Sequence, residues 1–562
     1  LPAAVAAKVL ATSEGNPLFV GELVRMLVQE GALAKEGDRW TVGANLAALE
    51  MPPTIHALLA ARIERLGSED RTVLERAAVV GRHFSRSAVA ALLGRNGSAL
   101  NARLEALQRT ELIERDTGWF LGEPVLRFHH VLIRDAAYRR LLKGTRAALH
   151  EQLADWIEAQ VADAPEHDET IGWHLEQAHQ HRRELGPLDA SGRALGERAA
   201  RRLGAAGRRA LARDDAPVAA GLLGRALDRL DAHDPARAEL ALEWCEALLT
   251  SGDVGTAEIA SADLGRFVGD PAAGSEPRLA AWHTCFAGQL TVLTAPQALH
   301  TTADAVAAAA AELASLGDAA GEAKGHFVHA LALARLGRIG GCEAALDKAL
   351  AAARRADDRR RANTVLAIAP LAALWGPSPV TRASGRCLDV VRVLRITQGA
   401  PAVEAVALSC QAVLEALRGR ADAARRMIAA AHKMVADLGI TQRVLETDVF
   451  GGLIDLLEGD ASAAERSLRG AYRGLRELGL GLDAARAAAL LARALLAQDQ
   501  SAEAEALSHE SEALAGDDLK AAIAWRKDAS VSAYAGSVTR ARRSNGSAMM
   551  SYSSSRASGP AM

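Results

Sequence analysis

Apolar and polar positions alternate in regular blocks between residues 195 and 515, and the blocks recur. Turn positions Asp214, Gly252, Thr294, Gly337, Ser378, Gly419, Gly459 and Asp499 mark eight copies at intervals of 38 to 43 residues. Five, nine, twelve and sixteen residues after each marker the chain returns to apolar, mostly small side chains, the i, i+4, i+7, i+11 spacing of one helical face. The sets are Ala219/Leu223/Ala226/Leu230, Ala257/Ser261/Leu264/Val268, Leu299/Ala303/Val306/Ala310, Cys342/Leu346/Ala349/Ala353, Ala383/Cys387/Val390/Leu394, Ala424/Ile428/Ala431/Val435 and Ala464/Leu468/Ala471/Leu475. An eighth, Ala504/Ser508/Ser511/Ala515, is blurred by its serines.

Small residues at fixed offsets let neighbouring helices approach closely, while the larger ones fill the gaps. One helical pair cannot bury its apolar side alone, but stacked pairs can, so the pattern predicts a superhelical array with a long concave surface. In the clearest copy, Leu453 to Glu458 ends one helix, Gly459-Asp460 turns, and Ala461 to Leu478 forms the second. This resembles tetratricopeptide repeats, with an interval nearer forty than the usual thirty-four or so. Longer helices or longer loops would account for the difference.

Before the array the pattern changes. Two helices are expected within residues 1–33, separated by Ser13-Glu14-Gly15-Asn16-Pro17, with the proline at the first helical position, where its missing N–H costs little. A short extended excursion follows at Asp38 to Val42, and Met51-Pro52-Pro53-Thr54 opens another helix. From Thr54 to Leu142 the order reads as four helices, two strands and a helix: Ile55 to Leu66, Glu69 to Val80 capped by Ser68, Ser85 to Leu93, Leu100 to Arg109, a hairpin, then Val131 to Leu142. The hairpin is read as Leu112 to Arg115, a turn at Asp116-Thr117-Gly118, and Trp119 to Leu121, with a third short strand through Leu126-Arg127-Phe128. Helices followed by a small hairpin describe a winged helix.

Four segments carry a wider resemblance: Gly15 to Val20, Met51 to Ile55, Leu58 to Leu66, and Phe128 to Tyr138 (Phe-His-His-Val-Leu-Ile-Arg-Asp-Ala-Ala-Tyr). In this order the set resembles the lid and winged-helix part of bacterial STAND-type signalling ATPases. Such modules often follow a class III adenylate/guanylate cyclase domain or belong to a transcriptional regulator, and a helical repeat array normally follows them. The resemblance implies ATP or ADP as cofactor only together with a phosphate-binding half upstream of Leu1, because no G-x-x-x-x-G-K-[S/T] loop occurs in the 562 residues. It implies that the Gly15-Asn16-Pro17 turn sits against the adenine and that His130 contacts the phosphates. Each has a plainer reading: Pro17 as the start of a helix, His130 as a polar cap. His129 stands where the family usually has arginine, and Arg127 or Arg134 is an alternative carrier of charge. The first residue, Leu1, already reads as mid-domain helix, so a longer parent protein is expected.

Composition narrows the classes. Hydrophobic residues make up 49% and aromatics only 4%, so the interior must be rich in Ala and Leu, the best helix formers. With 66 basic and 69 acidic residues there is no global attraction to nucleic acid or anionic lipid. Residues 68–142 hold 12 arginines against 9 acidic residues, and the would-be recognition helix alternates Arg103, Glu105, Arg109 and Glu111, which disfavours direct DNA contact. Five cysteines stand singly and read as small buried hydrophobes. No apolar run reaches about eighteen residues and no signal-peptide pattern opens the chain, so a cytoplasmic protein with no membrane contact is expected.

Candidate chemistry is sparse. His150-Glu151 lacks a second histidine four residues on. His174, His179 and His181 with Glu176 are separated by five and two residues, which assigns them to different helical faces and argues against a metal site. No catalytic residue and no metal ligand is assigned. The mixed-sign run Arg354 to Arg361 reads as a solvated face.

The expected architecture is mostly all-α: lid helices over 1–50, a winged helix over 51–142, a helical linker over 143–194, tetratricopeptide-like repeats over 195–525 and a disordered tail over 526–562. The expected role is a regulatory and sensor segment of a STAND-type ATPase, coupling a protein or small-molecule effector on the array to upstream ATPase and output domains. The other reading is a protein-interaction scaffold with no retained nucleotide function. An enzyme would need catalysis encoded upstream.

Overall fold

The computed structural model describes residues 3–36, 39–42, 52, 54–94, 98–161, 164–231, 234–268, 276–396 and 401–515. The tail over 526–562, Met51, Pro53 and residues 43–50 of the expected lid lie outside them. The chain divides into two compact units, Leu1–Ala247 and Leu248–Met562.

The first unit opens with α1 (Ala3–Ser13) and α2 (Pro17–Gln29), then a hairpin of β1 (Leu33–Glu36) and β2 (Arg39–Val42). The expected extended excursion is thus half of a two-stranded sheet in which Ala34 pairs with Thr41. Next come α3 (Ile55–Glu64), α4 (Ser68–Val80), β3 (His83–Ser85), α5 (Arg86–Leu93), α6 (Ser98–Arg109), β4 (Ile113–Phe120), β5 (Glu123–Phe128) and α7 (Val131–Arg140). Thr54 caps α3 through its side chain, which accepts from Ala57 N, and Ser85 caps α5 by accepting from Ala88 N. Ser68 is not a cap: Gly67 holds that position, and Ser68 is already helical.

The hairpin differs from its expected form. Strand β4 runs on through Asp116-Thr117-Gly118 and turns at Leu121-Gly122, both in the left-handed region with φ of 50° and 77°. Asp116-Thr117-Gly118 instead forms an irregularity in register between Arg115 and Trp119. Leu126 to Phe128 belongs to the second strand of the hairpin, and the third strand is β3, giving an antiparallel order β3-β5-β4. The Phe84 and Phe128 rings, 5.4 Å apart, lie in a core that also takes in Leu23, Leu27, Leu59, Leu74, Leu107 and Ile133, so α1 to α7 share one interior.

Helices then continue as α8 (Lys143–Val161), α9 (Asp168–Leu185), α10 (Ala190–Ala212), α11 (Ala216–Leu227) and α12 (Ala236–Ser251). Successive members from α8 to α11 pack on one another, and α8 also packs on α4 and α5. The first unit therefore includes both the expected linker and the first repeat pair.

The second unit is the array: α13 (Val254–Val268), α14 (Pro277–Thr294), α15 (Leu299–Ser315), α16 (Ala319–Arg335), α17 (Ile339–Arg355), α18 (Arg359–Trp375), α19 (Val380–Ile396), α20 (Pro401–Leu417), α21 (Ala421–Asp437), α22 (Thr441–Glu458), α23 (Ala461–Glu477), α24 (Gly481–Leu496) and α25 (Ser501–Ala515). Most are 17 residues long and joined by three-residue turns, and Gly419, Gly439, Gly459, Gly479 and Asp499 all take positive φ at intervals of twenty residues. The long interval thus comes from longer helices. Left-handed backbone suits glycine, and the aspartates are the next most tolerant.

The face expected to be buried is buried. Of the eight offset sets, all members are buried except Val268 and Ile428, which are partly covered. The eighth set belongs with the rest: Ser511 satisfies its hydroxyl by donating to the Ala485 carbonyl at 2.7 Å, so α25 packs normally on α24. These sets sit on the second helix of each pair. First helices pack on one another as well, α14 on α16, α16 on α18, α18 on α20, α20 on α22 and α22 on α24, forming a continuous inner layer. No position along α16 is fully exposed, whereas α15 alternates buried and exposed residues.

Candidate functional site

The expected nucleotide contacts are two helix starts. Gly15 has φ of 80° and turns the chain between α1 and α2; Asn16 Oδ1 accepts from Phe19 N at 3.3 Å, which caps α2, and Pro17 is its first residue. His130 is extended, with φ of −143°, and caps α7 by accepting from Leu132 N on Nδ1 at 3.1 Å. These bonds place both segments at helix starts. Neighbouring charges are engaged: Arg127 Nε donates to Glu114 at 2.7 Å, His129 Nδ1 lies 3.5 Å from the same carboxylate, and Arg134 Nε donates to the Ala78 carbonyl at 2.9 Å. On the would-be recognition helix α6 Arg103 pairs with Glu69 at 2.5 Å, and Glu111, in the turn just after α6, pairs with Arg25.

Between α2 and α3 lies a cavity of about 190 Å³ bordered by Glu22, Arg25, Met26, Leu58, Arg62 and Arg65. Glu22 is 2% exposed and holds Arg25 at 2.5 Å and Arg62 at 2.6 Å. Burial lowers the pKa of Arg62, and Glu22 opposes that shift. Glu22 ties α2 to α3 by bridging Arg25 and Arg62, and Arg65 pairs with Glu30, so three arginines meet two carboxylates on the cavity wall.

The densest polar constellation is one that sequence spacing dispersed. Tyr138 on α7, His150 on α8, and His174 and His181 on α9 meet in the interior of the first unit. Tyr138 Oη lies 2.8 Å from His150 Nε2 and 2.9 Å from His181 Nε2, and His150 Nδ1 lies 2.8 Å from His174 Nδ1. His174 and His181 are seven residues apart, two helical turns on one face, so the conclusion that the α9 histidines point to different faces holds for His179 but not for this pair. Sequence spacing carried no sign that Tyr138 and His150 meet: the packing of α8 on α9, and of α4 on both α7 and α8, brings them together.

Around this node the guanidinium groups of Arg134 and Arg146 lie 4.7 Å and 4.6 Å from the centre of the Tyr138 ring. Trp173 meets the His150 ring edge-on at 5.5 Å. Burial above all disfavours the charged rings, joined at His150 by the neighbouring His174 and His181 and then by the arginines: His150 is driven well below the usual range, His174 to about 3, and His181 is lowered despite Glu184. Burial also raises the Tyr138 phenol. Among the described residues no group of three or more His, Cys, Asp or Glu side chains has the arrangement to hold a metal ion. What the node can do is link three helices through neutral hydrogen bonds.

In the second unit the inner layer carries an aromatic and polar cluster. Trp282 stacks on Phe286 at 5.5 Å and donates its indole N–H to Asp318 at 2.7 Å, while Arg361 lies over Trp282 and Lys324 over Phe286 at 5.4 Å and 5.0 Å. The five cysteines are buried and unbridged. Among the described residues no helix is long and apolar enough to cross a membrane.

No family model matches the chain, and no curated protein matches it. Among solved structures it is similar to a signal transduction ATPase with numerous domains (STAND) carrying a tetratricopeptide repeat sensor from Pyrococcus horikoshii, at 12% identity and a TM-score of 0.36, covering 84% of this chain and 70% of that one. It is also similar to a Rap protein complexed with Competence and Sporulation Factor (12%, 70% and 96% covered, TM-score 0.37) and to the APC/C hetero-tetramer Cut9-Hcn1 (13%, 79% and 84%, TM-score 0.38). The stacked helix pairs described above form a tetratricopeptide-like helical solenoid.

Proposed function

We propose that this chain is the regulatory and sensor portion of a STAND-type signalling ATPase, in which α1 and α2 are lid helices and α3 to α7 with β3 to β5 a winged helix. The supporting observation is Tyr138. It ends the motif block Phe128 to Tyr138 and bonds to His150 and His181, on the first helices of the stack that follows. A single polar node thus joins the block proposed to face nucleotide to the helices proposed to relay the state of the array. Helices packed this way move as units rather than deforming smoothly, which suits a two-state switch.

In this reading a protein or small-molecule effector binds the inner layer and favours an open state through its differential affinity. ATP or ADP is held with an upstream phosphate-binding half, with Gly15, Asn16 and Pro17 against the adenine and His130 toward the phosphates. The output domain, a cyclase or a transcriptional regulator, is upstream as well, and the place of action is the cytoplasm.

The test uses the full-length parent protein. Nucleotide turnover and retention are measured with and without residues 214–515, and again with Pro17→Ala and His130→Ala. Deletion of the array is expected to change turnover, and each point change to speed nucleotide release. Identical turnover and occupancy in all of them would leave the scaffold reading in its place.

A further inference from the structure

The three contacts of the Tyr138 node can be satisfied by two proton arrangements, while the buried His181 Nδ1 has no hydrogen-bond partner. In one, Tyr138 Oη donates to His150 Nε2 and accepts from His181 Nε2–H, and His150 Nδ1–H donates to His174 Nδ1. In the other every direction is reversed: His174 Nδ1–H donates to His150 Nδ1, His150 Nε2–H to Tyr138, and Tyr138 to His181 Nε2. Both use three contacts of 2.8 to 2.9 Å and neither needs a charged ring. His150, His174 and His181 are only 0%, 2% and 9% exposed, so an added proton would place an imidazolium in the interior.

The ionisable groups that face the node make that proton costly. Arg134 comes from α7, Lys143 and Arg146 from α8, and Glu184 from α9, so three cations oppose one carboxylate. Glu184 Oε2 reaches only the outer end, 3.7 Å from His181 Nδ1, and is shared with Lys143 at 3.0 Å. The helix α4 presents the Ala78 carbonyl, already taken by Arg134, and α5 and α10 present apolar side chains such as Leu92 and Leu195. Among the described residues no carboxylate acts on His150 or His174 as Glu184 does on His181.

We propose that the junction of α7, α8 and α9 is an acid-released latch: closed while its three histidines are neutral, and opened by their protonation. The direction follows from linkage. When the helices separate, each histidine returns to an ordinary pKa near ~6.5 and takes up a proton below it. The closed form does not, because burial and the arginines hold the three groups below that value. Closure is therefore fully favoured above about pH 6.5 and weakens as pH falls through the window beneath it. At pH 5.5 a histidine held well below that pH in the closed form shifts the opening equilibrium by about tenfold, so His150 and His174 together contribute about a hundredfold, and His181 adds to it in the same direction. The latch would operate whatever the array binds, and whether or not nucleotide is retained.

Hydrogen exchange on the intact chain at pH 7.5 and 5.5, corrected for the intrinsic rate, reads the opening directly. Peptides from α7 to α9 are expected to lose protection by two to three orders of magnitude, while α23 and α24, which contain no histidine, stay unchanged. The double variant His174→Asn/His181→Gln keeps an amide where Nδ1 and Nε2 stand and cannot ionise. It should reduce the acid response to about tenfold. Loss of protection equal to that of the wild type would overturn the latch, as would no acid response in the wild type. Should the variant not fold, NMR of the wild-type imidazoles decides: neutral rings at pH 5.5 in the closed form support the latch, and rings protonated at pH 6 with α7 to α9 still protected refute it.

Discussion

Gly452 on α22 approaches Leu468 on α23 so closely that a Cβ on the glycine would lie 2.5 Å from the leucine Cγ. The leucine is completely buried, so neither helix can give way without opening the seam. Gly452→Ala is expected to destabilise the array by about 1–3 kcal/mol, although alanine is the better helix former. Gly470, on the same helix as Leu468 with open space where its Cβ would be, is the control: Gly470→Ala should raise stability by roughly 0.5–1 kcal/mol. Paired urea melts of the two variants check the sign difference.

The seam makes a second, larger demand on size. Ala226, Ala349 and Ala471 are each no more than 1% exposed on the second helices of their pairs. Tryptophan at any of them should cost at least about 3 kcal/mol and broaden or split the thermal transition. Calorimetry of the three single variants reads this out; unaltered cooperative melting in all three would contradict close packing at these offsets.

Glu22 and Arg62 yield a prediction about buried charge. Arg62→Met leaves the Glu22 carboxylate, 2% exposed, with a single remaining cation, Arg25, and should cost about 3 kcal/mol. Glu22→Leu combined with Arg62→Met removes both charges and should recover most of that loss. A double-mutant cycle by chemical denaturation measures the coupling.

Asp318 does more than an ordinary helix cap. Its carboxylate accepts from Gly321 N at 2.8 Å, from the Trp282 indole at 2.7 Å and from Arg278 at 2.8 Å, whereas Asp460 accepts from Ala463 N at 2.9 Å. Asp460→Ala should cost about 1 kcal/mol, and Asp318→Ala roughly 2–4 kcal/mol because it also leaves a buried indole N–H unpaired. Burial pushes the Asp318 pKa upward, but these three donors together hold it below its ordinary value. Its contribution is therefore complete above about pH 4 and is lost as pH falls through the lowered folded value. Acid titration of stability in wild type and Asp318→Asn checks the window.

The array was legible because its signal is local and repeated. A face such as Ala464/Leu468/Ala471/Leu475 states its own helix and its own burial, and seven further copies corroborate it. The hairpin turn was not legible, since Asp116-Thr117-Gly118 has turn chemistry yet forms an irregularity, while Leu121-Gly122 turns the chain by taking positive φ at a leucine. Register with β3, decided by tertiary pairing, outweighs local preference there. The Tyr138 node escaped for a related reason: its members come from three helices, and only the seven-residue spacing of His174 and His181 was available as a clue. The caps formed by Asn16 and His130 were visible as positions, and their local bonds agree with a structural role.

The even stride of the left-handed residues has an evolutionary corollary. Excising the forty residues from one glycine of the 419, 459 series to the next would rejoin equivalent backbone and leave the layers in phase. Removing twenty would exchange inner for outer helices and turn every later seam toward solvent. Unequal recombination can therefore lengthen or shorten this protein only in whole pairs, so the reach of its inner layer can change between lineages by increments of two helices while each seam keeps its own fit.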